Sequence, residues 1–177
     1  MDSLNACLGE GALAIEAAKL AETGIGAEEV FKKVQAMRKR VNEYCTVHSL
    51  EFLRRAGRVK GPAAFFGNLM GVKPIIVADA DGAQAAFKKV KGRQASFREI
   101  VALLKESIVN PEEQTIYLAH ADCSEEEVEE LKALVKAEIP CKEIFVGYIG
   151  PIIGASIGPD AVALIGFGKE VTFRAAE

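Results

Sequence analysis

Apolar positions recur at helical spacing in the first part of the chain. From Ala27 to Tyr44, apolar side chains return every three or four residues with lysines on the opposite side, a spacing typical of an amphipathic helix. This pattern predicts a helix over Ala27–Tyr44. The other helices predicted in this part are Gly11–Glu22, His48–Arg55 and Pro62–Met70, the last with proline in its first turn.

From residue 73 the apolar pattern changes to short runs typical of strands. The predicted strands are Pro74–Ala78, Ala85–Lys91, Thr115–His120, Ile144–Tyr148, Val162–Phe167 and Glu170–Phe173, with a hairpin turn at residues 79–82. Two capping boxes, opening at Ser96 and Ser124, predict helices that reach about Ile108 and about Ala137.

This order of elements predicts an α+β fold. We expect a two-layer domain over residues 73–177, with a mixed sheet of about six strands packed on helices. A helical segment, residues 1–72, precedes it. The chain has 177 residues, half of them hydrophobic, which is enough for a sizeable core.

A tract rich in glycine and proline lies between two of the predicted strands, over residues 146–161. Glycine permits positive φ and close backbone approach, and proline removes a backbone donor. Such a tract either presents N–H groups to a small or anionic ligand or simply turns the chain between two strands. The residues alone leave both interpretations open.

Charge is distributed unevenly along the chain. Residues 54–98 contain ten Lys or Arg against Asp79 and Asp81, whereas acidic residues dominate residues 99–143. This asymmetry fits either a charged ligand or partner, or ordinary solvated helix faces. A nucleic-acid partner is not expected, because the net charge is −3 and the basic stretch has no ladder of aromatic residues.

The four cysteines are far apart, with no C-x-x-C pair and no histidine at metal-ligand spacing. Free thiols in the cytoplasm and no metal site are therefore expected. The sequence predicts neither a transmembrane span nor a secretory signal.

Five short motifs follow one another in an order that resembles the DegV family of bacterial fatty-acid-binding proteins. They are Asp2-Ser3, Gly9-Glu10-Gly11, Leu53-Arg54-Arg55-Ala56-Gly57-Arg58-Val59, Lys73-Pro74-Ile75 and Gly150-Pro151-Ile152-Ile153-Gly154-Ala155-Ser156-Ile157-Gly158-Pro159-Asp160. The resemblance runs from residue 2 to about residue 168.

The resemblance implies a lipid-binding module of this family's EDD fold that holds a long-chain fatty acid and presents its carboxylate to a fatty-acid kinase or a dihydroxyacetone-kinase-like module. Catalysis then belongs to the partner, so no catalytic residue and no cofactor are expected. The ligand-binding residues that it implies are Arg58, Gly154 and Ser156. Lys60, Lys91 and Arg93 fall in segments that face the kinase in the family.

The apolar run of Phe65, Phe66, Leu69 and Met70 has two interpretations. These side chains form either part of the core or a wall of the lipid pocket.

Two residues depart from the family pattern. Ser156 stands where the family has histidine, and Asp160 stands where it has glycine. Serine keeps hydrogen-bonding capacity but is shorter and carries no charge, and Asp160 would repel a carboxylate unless a cation pairs with it.

In the family the Asp-Ser segment follows an N-terminal domain, whereas here it begins at Asp2. We therefore expect this chain to correspond to the C-terminal part of such a protein. In isolation it should bind fatty acid weakly or not at all, and self-associate through exposed apolar surface.

A competing hypothesis is a non-catalytic regulatory or assembly domain of a kinase-like fusion, without a working lipid site. An enzyme that uses Cys45 with His48 is disfavoured, because two residues at a helix end more often pack than form a catalytic pair.

Overall fold

A computed structural model describes residues 1–57 and 71–175 of the chain. In these ranges the helices are α1 (Cys7–Glu22), α2 (Ala27–Met37), α3 (Glu51–Ala56), α4 (Arg93–Ser107), α5 (Glu125–Glu138) and α6 (Pro151–Ile157). The strands are β1 (Val41–Thr46), β2 (Val72–Ala78), β3 (Gln84–Lys91), β4 (Thr115–Ala121), β5 (Glu143–Tyr148) and β6 (Ala161–Phe167).

The described strands form one mixed sheet in the order β3-β2-β1-β6-β4-β5. β4 and β5 run parallel, and the remaining neighbours run antiparallel. The prediction of an α+β fold with a mixed, six-stranded sheet is thus confirmed. β1 comes from the first 72 residues, yet it lies between β2 and β6.

Helices cover both faces of this sheet, because successive strand residues point to opposite sides. In β6, Ala163 and Ile165 pack with α1, α2, α3 and α6, whereas Val162 and Leu164 pack with α4 and α5. The helical segment expected ahead of the sheet therefore lies on the face opposite to α4 and α5 and makes a third layer.

The helix predicted over Ala27–Tyr44 is wrong in its second half. α2 ends at Met37, a short 3-10 turn follows, and Val41–Thr46 forms β1. Val41 and Tyr44 fit a helical period, but the whole of β1 pairs with β6. Those inter-strand hydrogen bonds and the burial of both strand faces outweigh the local periodicity.

The glycine- and proline-rich tract contains a helix, α6, that the sequence pattern did not predict. Pro151 occupies the first turn, where a missing N–H costs nothing. Gly158 ends the helix with φ 84°, a backbone conformation that glycine adopts without strain.

Four other local predictions have different outcomes. Ser124 caps α5 as predicted, since its side chain accepts a hydrogen bond from the N–H of Glu127 at 3.2 Å. Ser96 is not a cap, because α4 already begins at Arg93.

The strand predicted over Glu170–Phe173 is absent from the described part of the chain. Instead of a ladder, this segment makes single backbone hydrogen bonds to Lys39 and from Ala80. The helix predicted over Pro62–Met70 lies outside the described residues.

Candidate functional site

An apolar cavity of about 500 Å³ lies on the sheet face covered by α1, α3 and α6. This volume is within the usual range for sites that enclose a small organic ligand. We call it the central cavity. It is lined by Asn5, Ala6, Cys7, Glu43, Cys45, Leu53, Gly57, Ile76, Gly82, Ala83, Gln84, Ala119, Ile149, Ile152, Ile153, Ser156, Ile157, Ala163 and Ile165.

The floor of the central cavity consists of small side chains on the middle strands. Ala119 of β4, Ala163 of β6 and Cys45 of β1 lie side by side there. Larger residues at these positions would fill the space above the sheet. The short floor side chains therefore leave the volume that a flexible apolar ligand needs.

One end of the central cavity reaches the protein surface at α6. Ile152 lines the cavity and is 84% exposed, so the lining is continuous with solvent there. Ser156 lies one turn further along α6, also on the lining, and its hydroxyl donates to the carbonyl of Ile152 at 3.4 Å. A hydroxyl in this position is available to a polar group at the mouth of the cavity.

The other end of the central cavity is polar. Glu43 is only 9% exposed, and its Oε2 atom has no hydrogen-bond partner in the described structure. Burial raises the pKa of the Glu43 carboxyl from 4.5 to about 7, and the backbone N–H of Ala6 offsets part of that rise. The Oδ1 atom of Asn5 is also buried without a hydrogen-bond partner among the described residues.

Only some of the residues proposed from sequence for ligand binding can be placed. Ser156 lines the central cavity. Gly154 lies in α6 but is not part of the lining, and a Cβ atom there would meet nothing within 4 Å. Arg58, Phe65, Phe66 and Leu69, with Lys60 of the proposed partner surface, lie outside the described residues.

The other two residues proposed for partner binding differ in exposure. Lys91 is exposed at the end of β3. Arg93, the first residue of α4, is half-buried against α5. Its Nε lies 2.8 Å from a Glu127 carboxylate oxygen, and its guanidinium lies 4.6 Å from the centre of the Phe97 ring.

A second, polar group of side chains lies where β1 and β6 meet, and it includes Asp160. The Nδ1 atom of His48 is 3.7 Å from the Asp160 carboxylate and 3.1 Å from the Lys73 ammonium. The Lys73 ammonium also interacts electrostatically with Asp160, and a nearby cation is the condition under which the charge of Asp160 is compatible with a carboxylate ligand. Burial lowers the pKa of Lys73, and Arg93 lowers it further.

Cys45 and His48 do not form a catalytic pair. Cys45 is buried on the floor of the central cavity, where burial raises the pKa of its thiol well above the usual value. Its thiol is therefore protonated at neutral pH, which makes it a poor nucleophile. His48 is largely exposed and contacts Lys73 and Asp160 instead.

His120 is buried at the end of β4, and its Nδ1 atom has no hydrogen-bond partner among the described residues. Its ring packs 4.6 Å from that of Tyr148, and burial lowers its pKa. Within residues 1–57 and 71–175, no three His, Cys, Asp or Glu side chains are grouped to hold a metal ion. In the same ranges, no helix has the length and apolarity needed to span a bilayer.

Sequence reasoning missed Glu43 and Asn5. Glu43 falls within the helix predicted over Ala27–Tyr44, and a helical pattern does not indicate its neighbours on a strand. Had residues 41–46 been interpreted as a strand, the alternation would have placed Glu43 on one face with Val41 and Cys45, and a carboxylate between two apolar residues is an unusual feature.

The model of the DegV family, described as uncharacterised proteins, matches residues 1–169 of the chain. A DegV domain-containing protein of Clostridium perfringens is 38% identical over 172 residues, which cover 96% of this chain and 59% of that protein. This chain therefore spans about three fifths of the length of that relative.

Two solved structures show the same fold and have a sequence identity to this chain of 25% and 30%. A DegV family protein from Thermus thermophilus, described as binding fatty acid, superimposes with a TM-score of 0.85 at 25% identity, covering 96% of this chain and 60% of that one. DegV of Bacillus subtilis, described as a fatty acid binding protein, superimposes with a TM-score of 0.79 at 30% identity and the same coverage.

Proposed function

The chain belongs to the DegV family, and from that premise we propose that it binds a long-chain fatty acid in the central cavity. The observation that carries this proposal is the cavity itself. It is an apolar space of about 500 Å³ above small floor residues, and it opens at one end beside a hydroxyl. Burying the methylene groups of an acyl chain in such a space is favourable by roughly 0.8 kcal/mol for each CH₂.

The carboxylate of the ligand lies at the α6 end in this proposal. A carboxylate removed from water needs hydrogen-bond donors or a cation. Ser156 supplies a hydroxyl on the lining, which donates to the ligand when its proton turns away from the Ile152 carbonyl. Gly57 also lines the cavity, and the next residue in the chain is Arg58, whose guanidinium we propose as the cationic partner.

The protein acts as a carrier in this proposal and performs no catalysis itself. It presents the fatty-acid carboxylate to a fatty-acid kinase or a dihydroxyacetone-kinase-like module in the cytoplasm, with the basic residues Lys60, Lys91 and Arg93 facing that partner. No cofactor is required. Exposed apolar side chains on the first two helices, Ile15 and Phe31, favour self-association of the chain as it stands.

Calorimetric titration with palmitate tests ligand binding. We expect this chain to bind palmitate only weakly, as anticipated for the C-terminal part in isolation, and Ile152→Asp to weaken the affinity by about a further tenfold, because a negative charge at the mouth opposes the carboxylate. Phe31→Asp is the matched control, since Phe31 is also exposed (48%) and lies away from the central cavity. A folded chain that takes up no palmitate, or an Ile152→Asp variant with unchanged affinity, would contradict the proposal.

The competing function is a regulatory or assembly domain without a working lipid site. Ser156 and Asp160 favour it, because they stand where the family has histidine and glycine, so the polar groups that meet a carboxylate differ from the family pattern. In that case the chain associates with the kinase module equally well with and without palmitate. Size-exclusion chromatography of the mixture distinguishes the two, since presentation requires that association depend on the bound fatty acid.

A further inference from the structure

The end of the central cavity remote from α6 is formed by Glu43 and Asn5, and neither residue is needed to hold an apolar chain. Glu43 pairs with Ile165, which lies three residues along β6 from Val162, at the end of β6 that follows α6 in the chain. Three residues along a strand correspond to roughly 10 Å. Glu43 therefore lies well inside the cavity, beyond the first carbons of a ligand whose carboxylate is at Ser156.

Two buried oxygen atoms at this end lack hydrogen-bond partners among the described residues, Oε2 of Glu43 and Oδ1 of Asn5. They belong to one local group, because Ala6, which follows Asn5, interacts through its backbone N–H with the Glu43 carboxylate. Unpaired polar atoms in an apolar cavity are costly and rare in folded proteins. A cavity that selected only for hydrocarbon would have aliphatic side chains in these two places.

The ligand group that satisfies both atoms must be a donor. Asn5 Oδ1 only accepts hydrogen bonds, and a carboxyl near its midpoint of ionisation either accepts or donates. A second carboxylate is excluded there by repulsion from Glu43. A neutral hydroxyl meets the requirement, since it donates one hydrogen bond and accepts others.

We propose that the central cavity selects fatty acids that carry a hydroxyl group on the distal part of the acyl chain, with Glu43 and Asn5 as its hydrogen-bonding partners. This inference rests on the proposed function, because it assumes an acyl chain in the cavity with its carboxylate at the α6 end. Glu43 is then a specificity-determining residue. The ligand class is narrower than fatty acids in general.

The experiment compares binding of matched ligand pairs by calorimetry. Each pair consists of an unsubstituted fatty acid and its ω-hydroxy derivative, in lengths from twelve to eighteen carbons, and α-hydroxypalmitic acid is the position control. We expect at least one ω-hydroxy acid to bind about tenfold more tightly than its unsubstituted partner, the effect of one hydrogen bond to a buried polar group. The α-hydroxy acid should bind like palmitate.

Two variants test whether Glu43 is the residue that causes the preference for the ω-hydroxy acid. Glu43→Leu should abolish the preference for the ω-hydroxy acid and tighten binding of the unsubstituted one, whereas Glu43→Gln, which keeps the shape and the hydrogen-bonding capacity, should retain the preference. If Glu43→Leu does not fold, the comparison of the ligand pairs on the wild type still tests the inference. If every unsubstituted acid binds as tightly as its ω-hydroxy partner, a buried water satisfies Glu43 and the inference is overturned while the proposed function stands. Absence of binding by every acid would overturn both.

Discussion

Glu43 is the residue whose environment departs furthest from expectation. Its carboxyl is buried on the same sheet face as Cys45, against apolar side chains, with one backbone N–H in support. Desolvation disfavours the charged form of a carboxyl, and the pKa of Glu43 is accordingly raised to about 7. The folded chain therefore contains a group that changes charge near neutral pH.

This raised pKa predicts that Glu43 destabilises the fold as the pH rises. Between the ordinary pKa of 4.5 and the folded pKa of about 7, the unfolded chain has lost the proton that the folded chain still holds. The stability present below pH 4.5 is therefore lost progressively up to about pH 7. The loss in the free energy of unfolding is about 3 kcal/mol, because each unit of pKa difference corresponds to 1.36 kcal/mol. Glu43→Gln should remove this loss.

Urea unfolding of both proteins at pH 4.5 and pH 8 measures the effect. We expect the free energy of unfolding of Glu43→Gln, relative to wild type, to rise by about 3 kcal/mol between the two pH values. Glu28→Gln is the control: its carboxylate is 83% exposed, and surface substitutions change stability by about 0.5 kcal/mol or less. An equal pH dependence in wild type and Glu43→Gln would show that folding does not change the pKa of Glu43.

At the scale of elements, α6 shows how a glycine-rich tract can form a helix at a binding site. The helix has seven residues, begins with Pro151 and places Ile153 and Ser156 on the cavity lining. Gly154 and Gly158 have different roles in it. Gly158 has φ 84° and lies so close to the Phe52 ring that a Cβ would approach within 2.5 Å, whereas a Cβ at Gly154 meets nothing within 4 Å.

Alanine at these two positions should have opposite effects. Gly158→Ala should destabilise the chain by about 1–3 kcal/mol, because the backbone of Gly158 (φ 84°, ψ 174°) lies in a region essentially restricted to glycine, with displacement of Phe52 in addition. Gly154→Ala should stabilise it by about 0.5–1 kcal/mol through helix propensity. Thermal unfolding of both variants checks this. Loss of stability in Gly154→Ala would contradict the open space found around its α-carbon.

The sequence pattern predicted β2 to β6 closely, because their apolar runs are bounded by turn residues or capped helices. It failed at β1, where Val41 and Tyr44 satisfy a helical period and only pairing with β2 and β6 distinguishes a strand. At the site, the family motif led to Ser156, which lines the cavity. Glu43 could not be found in this way, since its burial depends on the face of a strand that was not predicted.

At the scale of the whole molecule, β1 holds the sheet together. Without it, the order β3-β2-β1-β6-β4-β5 separates into a β3-β2 hairpin and a three-stranded β6-β4-β5 sheet. A two-stranded hairpin is marginally stable at best by itself. α1 adds to this dependence, because Leu13 packs in the same cluster as Val41 of β1 and Ile165 of β6.

We therefore predict that residues before and after position 72 unfold together. Leu13→Ala removes a side chain that is 2% exposed and should cost about 2–5 kcal/mol. If unfolding is cooperative, this loss lowers the urea midpoint for exposure of groups on both sheet faces, including the partly buried Cys141 thiol, which packs on the opposite sheet face with α4 and α5. Thiol labelling followed by mass spectrometry reports Cys141 and Cys45 separately. We expect the urea midpoints of Cys45 and Cys141 to shift equally. A shift confined to Cys45 would show that residues 1–72 and 73–177 are independent units, and that the sheet does not depend on β1.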